Sequence, residues 1–272
     1  MDTVHSVGLT TEVHAHAAEE TCLYEEHTHP YHELYYLMKG SARYFINSEI
    51  LNVQAGDVAF VQQGAIHKAT YDYGTATERL LVSFTTDFIG EPYLYMLRSL
   101  GEVKRLCLSA DDAAELQGLF LKLHREFTDR KEHYRQQCKN LLRQIVILLS
   151  RQETDRSPRP ISSNEAIIQQ AATYISENCS EPLCLQTLAR MHAMSESHFS
   201  RTFKRYTGMG VAQYVKLVRL QKAEGLLLQG EDSVTEIAYA CGFNNSNYFI
   251  SEFKKHMGMT PLQYAIAARN KR

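Results

Sequence analysis

The sequence predicts an α+β chain in two domains: a small N-terminal β-barrel with a helical element, then an all-α domain of two helix-turn-helix units. Three observations carry that expectation. Short apolar runs broken by turn residues occupy the first third of the chain. Helical spacing of apolar residues takes over after Gly101. An internal repeat at an offset of 50 residues fills the last hundred or so.

The β region extends from about Thr21 to Phe84. Its apolar runs are Leu34 to Met38, Tyr44 to Ile46, Val58 to Val61 and Leu80 to Phe84, separated by Gly40, Asn47-Ser48, Gly56-Asp57, Gly64 and Gly74. Strands this short with turns this frequent read as a barrel or sandwich. Leu116, Leu119, Leu123 and Phe127 then recur at helical spacing, as do Leu141, Leu142, Ile145, Leu148 and Leu149. Ser109 with Asp112 is a helix start, and the two helices suit a hairpin. Residues 151–163, RQETDRSPRPISS, hold two prolines and almost nothing apolar, the composition of a linker. The expected domains are therefore 1–155 (barrel about 20–90, helices about 110–150), a linker at 156–163, and 164–272.

Charge divides along the same line. The net formal charge is −2 over 272 residues. From Asn164 onward there are 12 Lys and Arg against 9 Asp and Glu, a net of +3, which leaves −5 for the rest. DNA binding depends on where such charges cluster rather than on their total. Hydrophobic residues are 44% and charged residues 22%, an ordinary globular composition. Cys22, Cys107, Cys138, Cys179, Cys184 and Cys241 are scattered and none is in a CxxC pair, which points to a reduced, cytoplasmic protein rather than a disulfide framework. No signal peptide is visible, and the longest strongly apolar run, Ile145 to Leu149, is far too short for a membrane span, so no membrane partner is expected.

In the repeat, FSRTFKRYTGM from Phe199 aligns with FISEFKKHMGM from Phe249. Gln213-Tyr214 matches Gln263-Tyr264, and upstream Leu188-Ala189 matches Ile237-Ala238 at an offset of 49, so one residue is inserted in one turn. Each copy has helix-turn-helix layout, at about 185–206 and 234–257. A small residue, Ala189 or Ala238, sits where the helices cross. Ala193 or Gly242 makes the turn, and Met194 or Phe243 plugs the corner. The turn favours glycine, so Gly242 suits it better than Ala193. Phe199/Phe203 and Phe249/Phe253 are i,i+4 pairs on the buried side of each second helix. The outward side of the first copy offers Glu196, Ser197, Ser200, Arg201, Lys204 and Arg205; that of the second offers Asn245, Ser246, Asn247, Ser251, Lys254 and Lys255. Arg, Asn and Ser pair with base edges and Lys suits phosphate, so these are the candidate contacts to double-stranded DNA. Ser162 with Glu165 and Ser233 with Glu236 are capping-box patterns, and Thr260-Pro261 opens a last helix.

About 100 residues, from roughly Ala166 to Ala267, resemble the DNA-binding domain of the AraC/XylS family. The resemblance rests on IAYACGFNNSNYFISEFKKHMGMTPLQY and on LARMHAMSESHFSRTFKRYTGMGVAQYVKLVRLQKAEGLL, including Arg219-Leu220 and Ala223 of the joining helix. Ala265 departs from the arginine usual in the family after Tyr264. The resemblance implies a transcriptional regulator, usually an activator, working with RNA polymerase, and a homodimer joined through the helices before the linker.

In the N-terminal part, HTHPYHELYYLMKG places His27 and His29 on one side of a strand, with Glu33 and Gly40 following. Gly56, Gly64 and His67 are spaced Gly-x7-Gly-x2-His. Both segments resemble the motifs of the cupin barrel, although Gln62 replaces a proline and a leading glycine is missing. There the counterparts of His27, His29, Glu33 and His67 converge and can hold a divalent metal; imidazole with carboxylate suits Zn, Mn, Fe or Ni. The same residues with Tyr35 serve equally as the wall of a metal-free pocket for a small-molecule effector such as a sugar. Tyr24, Tyr31, Tyr35, Tyr44 and Phe60 suit stacking walls and core positions equally, and His32 competes as a surface residue. No catalytic set is expected beyond these ligands. The alternatives are a metal-dependent cupin enzyme fused to a DNA-binding domain, and a non-catalytic adaptor whose helical repeat binds protein.

Overall fold

The structure is a computed structural model and describes residues 8–16, 29–71, 76–106, 108–152, 161–230 and 232–269. The chain divides into two compact units, 1–162 and 163–272, each taken by itself.

The first unit has strands β1 (Leu9–His16), β2 (His32–Lys39), β3 (Ser41–Ile46), β4 (Glu49–Gln54), β5 (Val58–Val61), β6 (His67–Tyr71), β7 (Thr77–Phe84) and β8 (Arg105–Leu106). All pairings are antiparallel. Among the described residues they form two sheets, ordered β1-β7-β2-β5-β8 and β4-β3-β6. The expected barrel is therefore an open one. The central strands of the five-stranded sheet, β2, β5 and β7, are buried on both faces. Leu34, Tyr36, Val58, Phe60, Leu80, Val82 and Phe84 pack on helices, while Tyr35, Leu37, Ala59 and Val61 meet Tyr44, Val53, Ala69 and Tyr71 of the other sheet.

The first strand starts at Leu9, upstream of the region expected to be β. LTTEVHAH has only two large apolar residues, Leu9 and Val13, and that weak alternation hides it. Two helices also precede those expected: α1 (Thr86–Ile89) and α2 (Leu94–Val103), joined by a short 3-10 turn at Glu91–Tyr93. Thr85 caps α1 by accepting from the Phe88 amide. Then come α3 (Ala110–Asp129) and α4 (Tyr134–Ser150), which pack together. Ser109 caps α3 by accepting from the Asp112 amide. Leu116, Phe120, Leu123 and Phe127 of α3 and Leu141, Leu142, Ile145 and Leu149 of α4 lie in the core. At roughly 1.5–3 kcal/mol per fully buried large apolar side chain, this is the dominant stabilising term of the unit.

The second unit contains α5 (Ser163–Glu177), α6 (Leu185–Met191), α7 (Glu196–Thr207), α8 (Val211–Gln229), α9 (Val234–Ala240), α10 (Ser246–Met257) and α11 (Pro261–Arg269). Helices α6 and α7 form the first helix-turn-helix; α9 and α10 form the second. The long α8 joins them, and Arg219 on it donates to the Cys179 and Glu181 carbonyls beyond the end of α5 (2.7 and 2.9 Å). Tyr264 of α11 donates to Glu224 of α8 (2.5 Å).

Among the described residues no helix is long and apolar enough to cross a membrane. Cys138, Cys179, Cys184 and Cys241 are free thiols; Cys22 and Cys107 lie outside the described residues.

Candidate nucleic-acid interface and candidate effector site

Both turns of the repeat close by the same bond. Met194 N–H donates to Ala189 O (2.9 Å), and Phe243 N–H donates to Ala238 O (3.0 Å). Ala189 and Ala238 are buried where the helices cross. Ala193 and Gly242 both take positive φ, +53° and +85°. The second helix of each pair then starts from a capped end: Ser195 accepts from the His198 amide, and Asn245 accepts from the Tyr248 amide. Behind each, Phe199 and Phe203, or Phe249 and Phe253, are fully buried. The capping box on α9 is complete, with Ser233 and Glu236 bonding reciprocally.

That internal packing fixes which side chains face out. On α7, Glu196, Ser197, Arg201, Lys204 and Arg205 are exposed and Ser200 is half-buried. On α10, Asn247, Ser251, Lys254 and Lys255 are exposed and Ser246 is half-buried. Asn245 is exposed, but its side-chain oxygen is committed to the cap, so only its amide N–H2 is left to meet a base. His198 and Tyr248 were not among the expected contacts, yet both are exposed and occupy the third position of α7 and α10. The 50-residue offset relates them too. Basic residues end both helices, where the dipole favours them.

In the first unit, His29, Glu33 and His67 converge, all buried, with ligating atoms within 4.8 Å of one another. His29 Nε2 lies 3.1 Å and His67 Nε2 3.4 Å from the Glu33 carboxylate. His27 lies outside the described residues. His29 does not share a strand with Glu33 as expected: β2 begins at His32, and His29 approaches from the preceding segment. Pro30 excludes a ladder donor there, which accounts for the late start.

Both rings have a set tautomer. His29 Nδ1–H donates to Tyr31 O and His67 Nδ1–H to Ala65 O, each at 2.9 Å, and a carbonyl can only accept. Each Nε2 therefore faces the carboxylate either as the second N–H of an imidazolium or as a lone pair aimed at a shared cation. For Glu33, burial disfavours ionisation, but the hydrogen bonds and charges of His29 and His67 outweigh it and hold the carboxyl well below the usual range. Ser83 also donates to Glu33 (3.2 Å). Tyr31 stacks on the His29 ring (centroids 3.9 Å apart), and burial together with Glu33 pushes its hydroxyl up to about 12.

Tyr35 and Tyr44 extend this interior. Their rings meet edge to face, and Tyr44 stacks toward His67. Phe60 is fully buried on the opposite face of its sheet among the helices, so it is not a wall. Tyr24 lies outside the described residues. His32 is buried rather than on the surface. Its ring lies between Phe60 and Phe84 on the helix side of β2, accepts from the Gln63 amide and donates to Thr86, and burial and the His29 charge hold it down at about 4. It neighbours Glu33 in sequence, and strand alternation sends the two to opposite faces.

Comparison with known proteins matches both units. An AraC-like ligand binding domain matches residues 12–146, and a helix-turn-helix domain matches residues 188–266. The chain belongs to the AraC family of transcriptional regulators. The transcriptional activator RhaR of Mannheimia succiniciproducens is 28% identical over 248 residues, covering 88% of this chain and 86% of that protein. RhaR of an Escherichia coli strain is 24% identical over 251 residues, covering 89% and 87%. Among solved structures, the C-terminal domain of AraT from Geobacillus stearothermophilus is 33% identical over 39% of this chain and 88% of that one, with a TM-score of 0.37. As an AraC-family member the chain is a sequence-specific DNA-binding regulator with an effector-binding domain, and the reading as a fused metal-dependent enzyme gives way.

Proposed function

We propose that this chain is a cytoplasmic, homodimeric transcriptional activator. Its two helix-turn-helix units enter successive major grooves of duplex DNA, and its N-terminal domain binds a sugar-like effector. One observation carries the reading: two repeated units expose hydrogen-bonding and basic side chains at positions 50 residues apart, Ser197, Arg201 and Lys204 against Asn247, Ser251 and Lys254. Residues near the start of each second helix read bases, and those toward its end meet phosphate. The relatives named as activators support contact with RNA polymerase. Hydroxyl and imidazole groups among aromatic rings, as at Tyr35, Tyr44 and His67, suit a sugar. A gel-shift titration with target promoter DNA tests the main claim. Affinity should fall steeply with salt, with a slope set by the phosphates neutralised. Binding that is absent at low salt, or insensitive to salt, contradicts it.

A second reading is favoured by the tautomers of His29 and His67. With Nδ1 held by backbone carbonyls, each Nε2 is oriented as metal ligands are when a second group holds the other nitrogen. These two rings and Glu33 fit a divalent cation, which when bound would fix effector hydroxyl or carboxylate oxygens. Metal analysis of protein purified without chelator decides it. Stoichiometric metal that His67→Ala removes supports the reading, and metal-free protein with an intact effector response refutes it.

A further inference from the structure

Arg79 stands outside every site described so far. It lies on β7, in a run, TERLLVSF, whose Leu80, Val82 and Phe84 face the helices. Arg79 shares the other face with Leu81 and Ser83, toward the interior between the sheets, and is 5% exposed. Its guanidinium carbon sits 5.4 Å from the centroid of the Tyr35 ring and 5.7 Å from that of Tyr71. The two tyrosines are themselves joined, Tyr35 hydroxyl donating to Tyr71 hydroxyl at 3.2 Å. From there the polar line continues through Tyr44 to His67 and Glu33.

The interior therefore has two unlike ends. In the β2–β7 register Glu33 stands opposite Ser83, and Leu37 opposite Arg79. The backbone of Arg79 thus lies four residues along the strands from that of Glu33, about 13 Å at 3.3 Å per residue. One end holds a carboxylate between two imidazoles; the other holds a cation between two aromatic faces. A guanidinium is seldom taken into a protein interior, and its planar fork matches a carboxylate in two parallel bonds.

We infer that Arg79 is a specificity residue of the effector site and that the effector is a polyhydroxylated carboxylate, a sugar acid rather than a neutral sugar. Its carboxylate meets the Arg79 guanidinium. Its hydroxyls bond Tyr35, Tyr44 and Tyr71 and the His67–Glu33 end, and its C–H faces lie on the tyrosine rings. The inference rests on the effector being bound between the sheets of the N-terminal domain.

The test is calorimetric binding to the full-length protein of D-galacturonate and D-glucuronate against D-galactose and D-glucose, repeated with Arg79→Gln, Arg79→Lys and Tyr44→Phe. At least one acid should bind at least tenfold tighter than its neutral partner. Arg79→Gln should remove that preference, Arg79→Lys should keep part of it, and Tyr44→Phe should weaken acid and neutral sugar alike. If Arg79→Gln fails to fold by circular dichroism, the acid-to-neutral ratio of the wild type and of Arg79→Lys decides. Neutral sugars binding as tightly as acids, with Tyr44→Phe weakening both, overturns the acidic effector and leaves the interior site standing. Acid binding that neither Arg79→Gln nor Tyr44→Phe alters overturns the interior site as well. No binding of any of the four at millimolar concentration overturns the sugar-acid assignment.

Discussion

The two helix-turn-helix units share a core and differ at the turn and on the outward face. Each buries a Phe pair and closes through the same backbone bond. At the turn, however, Gly242 approaches the end of α5 so closely that a Cβ would fall 2.7 Å from Ser180 O and 2.9 Å from Cys179 O. Ala193, at the matching place, is exposed and holds a positive φ of +53° with its methyl in open surroundings. Outward, Arg201 of the first copy stands where the second has Ser251, and Ser197 where it has Asn247. Glycine is thus required in one turn by packing and is only preferable in the other by backbone conformation. The faces have diverged while the cores have not, as expected if the copies read different bases.

The largest effects should be equal in the two copies. Phe203→Ala and Phe253→Ala each empty a fully buried site, and each should cost about 3–5 kcal/mol in urea unfolding. A cost near zero for either would mean that its copy is not held together as described.

The turn should separate the copies by sign. Gly242→Ala forces a methyl into backbone and disfavours the required φ, and should destabilise by about 2–4 kcal/mol. Ala193→Gly relieves the αL strain and should stabilise by up to about 1 kcal/mol. Thermal melts of both variants check this, and equal signs would remove the distinction.

The faces should separate them by specificity. Arg201→Ala should weaken binding to a selected DNA site by about 1–3 kcal/mol and relax preference at one or two base pairs. Ser251→Ala should lose less, since a hydroxyl makes one neutral bond where a guanidinium makes two charged ones. Lys204→Ala and Lys254→Ala should weaken specific and non-specific DNA alike. Competition gel shifts measure all four, and an unchanged base preference in Arg201→Ala removes its base-reading role.

The C-terminal unit was legible because its sequence repeats, so periodicity, caps and turn residues could each be read twice. Ser233 and Thr260 announce helix starts by side-chain chemistry alone, as Ser109 does in the N-terminal unit. The N-terminal unit was harder because the central strands of its main sheet are covered on both faces. Alternation fades there, and the inward place of the arginine in TERLLVSF is given only by the β2–β7 register. His29 and His67 were marked by the resemblance of their segments to the cupin motifs, but the tautomer that makes them ligand-like depends on carbonyls of Tyr31 and Ala65. Helices α1 and α2 are only 4 and 10 residues long, too short for a helical period to stand out in the sequence.

Hydroxyl-radical and methylation-interference footprinting tests most directly whether the two units act on DNA together, using a duplex selected from random sequence by the full-length protein. Two major-groove patches should appear on one face of the duplex, about 10.5 base pairs apart. Arg201→Ala should erase contacts in one patch and Asn247→Ala in the other. A single patch, or two patches that both fade with Arg201→Ala alone, would contradict the assignment of one groove to each unit.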